Sequence, residues 1–167
     1  MKIKPLLNCW PALAALALSA CAANPVYPPD WADSAITPQQ AAAAPEQAGN
    51  ARVIWGGRIL GVENKPGHTE VEVLAYPLDK DQKPVQNDVG EGRFLALLPG
   101  YVEPLDYPVS ARVTMQGRIQ GMRSGRVGQA PYVFPLLEVR AAHVWSREDM
   151  QRRSNVHFGV GVGIGIR

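Results

Sequence analysis

The first residues to consider as chemical groups are two cysteines near the N terminus. Cys9 and Cys21 are the only cysteines among 167 residues, and Cys21 directly follows Leu18, Ser19 and Ala20. The chain beyond Cys21 therefore has no disulfide framework and no cysteine-ligated zinc site. Small side chains let an extended backbone enter a peptidase cleft, and a thiol is a nucleophile soft enough to form a thioether with a lipid. These residue types are compatible with cleavage before Cys21 and with a thioether on its side chain.

The segment before this cysteine has the organisation of a secretory signal. Lys2 and Lys4 give it a positive start, and an apolar stretch runs over Pro5–Leu18. A permanent transmembrane helix is the competing interpretation, but the stretch is shorter than the roughly 20 apolar residues that a span requires. It also contains Pro11. We predict that residues 1–20 are a signal peptide.

The tetrapeptide ending at Cys21 resembles the bacterial lipobox, in which a leucine and two small residues precede an invariant cysteine. The resemblance implies a diacylglyceryl thioether on Cys21 and a further acyl chain, such as palmitate, on its amine. Two or three chains make a near-permanent anchor, whereas one chain holds only weakly. Ala22 and Ala23 follow, without the aspartate that retains enterobacterial lipoproteins in the inner membrane. The expected address is the bacterial outer membrane.

Residues that could catalyse a reaction or bind a metal do not form a recognisable set. His68, His143 and His157 are far apart and lack the spacing of metal ligands. Glu70 and Glu72 share one strand face, where solvated charge is the simplest interpretation. We expect no catalytic residues, no metal and no cofactor, and hence no enzymatic activity.

Three arginines are the candidate contact residues. Arg118, Arg123 and Arg126 lie around a predicted loop over residues 120–131, between the fourth and fifth strands. They are either solvated side chains of a flexible turn or a contact site for an anionic partner. Such a partner would be lipopolysaccharide phosphate, envelope glycan or an acidic protein surface.

Charge argues against nucleic acid as a partner. The chain has 17 basic and 15 acidic residues, and two of the basic ones, Lys2 and Lys4, belong to the predicted signal peptide. The mature chain then has 17 − 2 = 15 basic residues against 15 acidic residues. A neutral protein lacks the basic surface that binding to phosphate backbones requires.

The elements that must position these residues are short strands. β-forming residues alternate between turn signals, most clearly over His68–Tyr76, where Thr69, Val71, Val73 and Ala75 share one face. A glycine pair in the first strand predicts a bend. The predicted strands are Arg52–Val62, His68–Tyr76, Arg93–Leu98, Arg112–Ile119 and Tyr132–Trp145. Over residues 51–146 this pattern favours an all-β, five-stranded, OB-like barrel, and it is also compatible with a sandwich.

The segments flanking the barrel have different compositions. Residues 21–50 contain five prolines and no sustained apolar period, which predicts a lipidated cysteine on a flexible, disordered tether spanning on the order of 30 Å. A short helix over Thr37–Gln47 would begin with Thr37 as N-cap and Pro38 at the first position.

Residues 147–167 are a connector followed by a glycine-rich apolar tail. In Phe158–Arg167, glycine alternates with branched apolar residues. This tail would be mobile or lie on a surface, or it would add as a strand to another sheet and drive self-association, or it would span the membrane.

Several motifs together resemble the Slp family of outer-membrane lipoproteins, over roughly Cys21 to Trp145. These motifs are Trp55–Ile59, Thr69–Leu78, Gly92–Phe94, Pro104–Tyr107, Val113–Gly117, Pro135–Glu138 and Trp145. The resemblance implies an outer-membrane location and a fold, and it implies no activity, because none is established for the family.

The first functional hypothesis is a non-enzymatic outer-membrane lipoprotein, anchored through acylated Cys21, that binds an envelope component or a protein. The alternative is a structural protein whose tail drives self-association at the membrane.

Overall fold

The computed structural model describes residues 24–151, which form a β-barrel with a wrapped N-terminal segment and a short C-terminal helix. The strands are β1 (Arg52–Lys65), β2 (His68–Tyr76), β3 (Arg93–Pro99), β4 (Arg112–Val127) and β5 (Ala130–Trp145). The helices are α1 (Pro38–Ala43), α2 (Pro45–Ala48) and α3 (Arg147–Gln151), with 3-10 turns at Pro29–Trp31 and Pro104–Asp106. Within residues 24–151, no helix is both long enough and apolar enough to cross a bilayer.

The five strands close into a ring in the order β1-β2-β3-β5-β4. Neighbouring strands are antiparallel except β3 and β5, which pair in parallel between Leu95–Leu97 and Leu136–Glu138. This is the strand order of an OB-type barrel, so the predicted OB-like fold is confirmed and the sandwich alternative is rejected.

The barrel interior is filled by the alternate apolar residues of each strand. Val71 and Val73 of β2 and Phe94 of β3 have no exposed surface. Trp55 of β1 packs on Phe94 with ring centroids 5.1 Å apart. The residues that alternate with these buried ones along each strand point outwards, so the outer face of β2 and β3 is available for other contacts.

A close backbone approach between β1 and β2 requires glycine at position 57. A Cβ atom placed on Gly57 would lie 2.0 Å from the carbonyl oxygen of Leu74. The β1–β2 register also shifts between Ile59 and Gly61. Such irregularities let a short sheet curl into a closed barrel.

The predicted helix after Thr37 is present but is divided in two. The Thr37 side chain accepts a hydrogen bond from the Gln40 backbone N–H, and the Gln40 side chain accepts one from the Thr37 N–H. The helix α1 ends at Ala43, because Pro45 starts a separate turn of helix, α2.

The predicted flexible tether does not hold for residues 24–50, which pack against the barrel. Ala41 and Ala48 are fully buried and belong to the same core cluster as the barrel interior. The indole Nε1 of Trp55 donates to the carbonyl of Ile36 at 2.8 Å. The tether prediction failed because these anchoring residues are too few and too widely spaced to produce a hydrophobic period.

The predicted loop over residues 120–131 is also corrected, since most of it is strand. β4 continues to Val127, β5 begins at Ala130, and only Gly128 and Gln129 form the turn. Both faces of this projecting hairpin are largely solvent-exposed. Without a buried face there was no alternation for the sequence to reveal.

Candidate functional site

Two ion pairs lie on the outer face of β2, the strand whose inner face fills the core. Glu70 and Glu72 alternate with buried valines, so both carboxylates point outwards. The neighbouring strand places Leu97 opposite Glu70 and Leu95 opposite Glu72. The carboxylates and the leucines therefore form one continuous surface, which we call the β2–β3 face.

Glu70 is the centre of this surface. Nη1 of Arg123 lies 2.8 Å from each of its two carboxylate oxygens. Nε2 of His68 lies 3.0 Å from Oε1. Only 11% of the Glu70 side chain is exposed, against 42% for Arg123, so the carboxylate is more strongly desolvated than its partner.

The environment of Glu70 lowers the pKa of its carboxyl below the ordinary value. Burial acts to raise this pKa, but the hydrogen bonds from His68 and Arg123, together with the positive charge of Arg123, outweigh it. Glu70 is thus not the solvated charge that the sequence predicted. The alternation placed it correctly on the outer face, but its partner is 53 residues away, and no local pattern gives such a pairing.

A second pair extends the surface along β2. Nη1 of Arg93, the first residue of β3, donates to Oε1 of Glu72 at 2.7 Å. A groove of about 410 Å³ runs beside the Glu70–Arg123 pair, lined among others by His68, Leu97, Gln120, Arg123, Leu136 and Glu138. Carboxylates, guanidinium groups and aliphatic side chains therefore alternate on one face.

The three arginines selected from the sequence have three different partners. Arg118 donates to the carbonyl of Asn50 at 2.9 Å, where the N-terminal segment enters β1. Within the part of the chain that the structure describes, Arg126 bonds only Gln129, in its own hairpin turn. Of the three, Arg123 alone reaches the β2–β3 face.

Among residues 24–151, no three histidine, cysteine or acidic side chains are grouped closely enough to hold a metal ion. His143 stacks edge-on against Trp145, with centroids 4.4 Å apart, so it is a packed strand residue. The lipobox residues Leu18, Ser19, Ala20 and Cys21, the third histidine, His157, and the tail Phe158–Arg167 lie outside the described residues.

The charges of the two ion pairs on the β2–β3 face balance each other. Arg93 and Arg123 supply two positive charges, and Glu70 and Glu72 supply two negative ones, each at hydrogen-bond distance from its partner. A polyanion would have to compete with these carboxylates for the guanidinium groups. A neutral ligand rich in hydroxyl or amide groups could bond to both kinds of group without breaking either pair.

Comparison with known protein families gives a match over most of the chain. The model of the outer membrane lipoprotein Slp family matches residues 18–161. The uncharacterized lipoprotein YeaY of Escherichia coli (strain K12) is 31% identical over 135 residues, covering 78% of this chain and 68% of the relative. The outer membrane protein Slp of the same strain is 33% identical over 109 residues, covering 65% of this chain and 57% of the relative.

A further relative and one solved structure are similar to this chain. An uncharacterized protein of Haemophilus influenzae is 28% identical over 92 residues, covering 54% of this chain and 50% of the relative. The crystal structure of a small single-stranded DNA-binding protein from Streptomyces coelicolor has 13% identity and a TM-score of 0.33, covering 57% of this chain and 94% of the other.

Proposed function

The chain belongs to the outer membrane lipoprotein Slp family, and on that premise we propose that it is anchored through acylated Cys21 and binds an envelope glycan on its β2–β3 face. The proposal assigns binding and no catalytic step. The observation that carries it is the presence of two ion pairs, at Glu70 and at Glu72, which lie among leucines on the outer face of β2 and β3.

The anchor is supported by two features of the N-terminal sequence. Leu18, Ser19 and Ala20 lead to Cys21 at the end of an apolar stretch, and the family match begins at residue 18. With the signal peptide removed, acyl chains on Cys21 would hold the domain to lipid, each buried methylene contributing about 0.8 kcal/mol. No cofactor is required for this role.

A glycan fits the face better than an anionic ligand does. Guanidinium N–H groups donate to sugar hydroxyls, and carboxylate oxygens accept from them, so both members of each pair are useful. Leu95, Leu97 and Leu136 offer aliphatic surface to the apolar faces of a sugar ring. In OB-type barrels the outer face of strands two and three is the usual site for oligosaccharides and oligonucleotides. The neutral charge of the mature chain, without residues 1–20, disfavours oligonucleotides.

The proposal is tested by sedimenting the detergent-solubilised lipoprotein with purified peptidoglycan sacculi. Arg123→Ala should weaken binding about tenfold or more, because each hydrogen bond to a charged group contributes about 1.5–3 kcal/mol. Arg126→Ala is the matched control, since it removes an arginine of the same strand whose hydrogen bonds, among the described residues, go to Gln129. It should bind like the unmodified protein.

Two results would reject the glycan assignment. One is an equal effect of Arg123→Ala and Arg126→Ala, which would mean that the β2–β3 face is not used. The other is no binding to sacculi together with salt-sensitive binding to lipopolysaccharide micelles, which would indicate an anionic ligand instead.

The second candidate function is assembly at the membrane through the tail. The observation in its favour is that α3, the last described element, ends beside the N-terminal segment that leads back to Cys21, since Asp149 and Asn24 line the same hollow. The glycine-rich tail follows α3 after six intervening residues, so copies of it could pair near the lipid surface.

A further inference from the structure

The first described residues are held to the fold by hydrogen bonds between their backbone and the side chains of Asp81 and Gln82. The Asn24 N–H donates to Oδ1 of Asp81 at 2.8 Å. The Tyr27 N–H donates to Oε1 of Gln82 at 2.8 Å, and Nε2 of Gln82 returns a bond to the Tyr27 carbonyl at 3.0 Å. This part of the chain is therefore held in place from Asn24 onwards.

These contacts attach the N-terminal segment to the outer face of β4. The Tyr27 hydroxyl donates to the carbonyl of Thr114 at 3.3 Å, and Oγ1 of Thr114 donates to the carbonyl of Gln82 at 2.7 Å. The indole Nε1 of Trp145 donates to the same Oγ1 at 2.9 Å. Burial here, with a smaller contribution from Tyr107, raises the pKa of Tyr27 to about 12.

The length of the linker to the anchor follows from covalent geometry. Cys21 and Asn24 are separated by three Cα–Cα steps, each 3.8 Å at most, so their Cα atoms are at most about 11 Å apart in any conformation. A tether of about 30 residues would have left the domain free to turn, whereas this linker is shorter than the domain is wide.

The β2–β3 face is separated from this attachment both around the ring and along β4. In the ring β1-β2-β3-β5-β4, β4 has β1 and β5 as neighbours, so β2 and β3 are not adjacent to it. Arg123, the β4 residue that pairs with Glu70, lies nine residues beyond Thr114 along the strand. Five strands spaced about 4.8 Å apart, with a layer of side chains on each side, make a body about 20 Å across.

Exposed apolar side chains border the attachment side. A groove of about 700 Å³ is lined by Leu105, Val109, Trp145, Arg147 and Met150, among others. Leu105 is 83% exposed and Val109 is 63% exposed. Trp145 also lines the hollow that contains Asn24, so the groove and the anchor point share one side of the domain.

From these positions we infer that the outer side of the start of β4, around Thr114, rests on the lipid headgroups together with Asn24, Lys80 and α3, and turns the β2–β3 face away from the membrane. The inference rests on the proposed anchor at Cys21. The anchor alone does not define how the domain is oriented. In this orientation the β2–β3 face, with Glu70, is exposed to ligands on the side of the domain that faces away from the bilayer.

The test is the depth of two fluorescent labels in reconstituted lipoprotein. Cys9 is lost with the signal peptide, and the Cys21 thiol is blocked by lipid. A single cysteine introduced by Lys80→Cys in one variant, or by Glu63→Cys in another, can therefore be labelled selectively. Both side chains are exposed, at 49% for Lys80 and 68% for Glu63, and Glu63 lies beside Glu70 and Glu72. The vesicles contain phosphatidylethanolamine, phosphatidylglycerol and a headgroup-level spin-labelled lipid as quencher.

We expect the label at position 80 to lose most of its emission and the label at position 63 to keep most of it. Inserting about 15 glycine and serine residues between Ala23 and Asn24 adds a root-mean-square reach of about 20 Å and should abolish the difference. Equal quenching at the two positions without the insertion, in protein that floats with the vesicles and carries acyl chains, would overturn the orientation alone. Protein that carries no acyl chains would overturn the anchor and, with it, the orientation.

Discussion

Replacing Ala41 by glutamine should destabilise the whole barrel, although Ala41 lies in a segment that the sequence predicted to be a tether. Ala41 has no exposed surface and belongs to the core cluster, whereas Ala43, two residues later in α1, is exposed. Ala43→Gln is therefore the matched control, with the same change in the same helix.

The expected cost follows from the burial of position 41. Forcing a larger side chain into a packed core costs about 1–3 kcal/mol. Leaving a buried amide without partners costs about 1–3 kcal/mol more, which gives about 2–6 kcal/mol in total. For a domain of this size 1 kcal/mol lowers Tm by about 3–5 °C, so Ala41→Gln should lower Tm by about 6–30 °C. Ala43→Gln carries only the helix-propensity term of a few tenths of a kcal/mol.

The assay is thermal unfolding followed by circular dichroism, in a non-lipidated form made with Cys21→Ser. Equal Tm values for Ala41→Gln and Ala43→Gln would refute the conclusion that residues 24–50 are part of the fold. The short linker to the anchor, and the orientation built on it, would then lose their basis.

Three further predictions follow from individual sites. Gly57→Ala should cost about 2–4 kcal/mol, because its Cβ would collide with the carbonyl of Leu74, whereas Gly61→Ala, with nothing within 4 Å, should change the free energy of unfolding by less than about 0.5 kcal/mol in urea titrations. Because the pKa of Glu70 is lower in the folded state, its ion pair stabilises fully above the ordinary carboxyl titration near about pH 4 and is lost as the pH falls through the lowered value. Glu70→Gln should accordingly cost about 1–3 kcal/mol at neutral pH, and urea titrations should show that deficit shrinking in acid; a deficit independent of pH would contradict the assignment. Deleting Phe158–Arg167 should remove higher species from crosslinked envelopes if the tail drives assembly, and unchanged species would exclude that role.

The barrel was predictable because its strands have one buried face. The inward positions of β2, from Thr69 to Ala75, give a two-residue period that survives in the sequence. The turn after β1 contains Pro66 and Gly67, residue types that favour turns, and Gly67 has a positive φ of 84°, which glycine adopts readily. Local residue types determine such features, so the sequence alone was sufficient.

The packed N-terminal segment and the Glu70 cluster could not be predicted in the same way. Ala41 and Ala48 stabilise the segment by packing closely against residues that are distant in the sequence. Their residue type gives no sign of this, because an alanine run is equally typical of a linker. The partner of Glu70 lies 53 residues away on a hairpin with both faces exposed. Long-range pairings of this kind depend on the closed ring of strands, which local periodicity does not encode.

The central claim is that acyl chains on Cys21 hold this barrel to the outer membrane. Intact mass spectrometry of the protein purified from its natural membrane tests that claim most directly. The expected product begins at Cys21, lacks residues 1–20 and carries a diacylglyceryl group together with an amide-linked acyl chain. A product with an unmodified amino terminus, or with residues 1–20 still attached, would contradict the account.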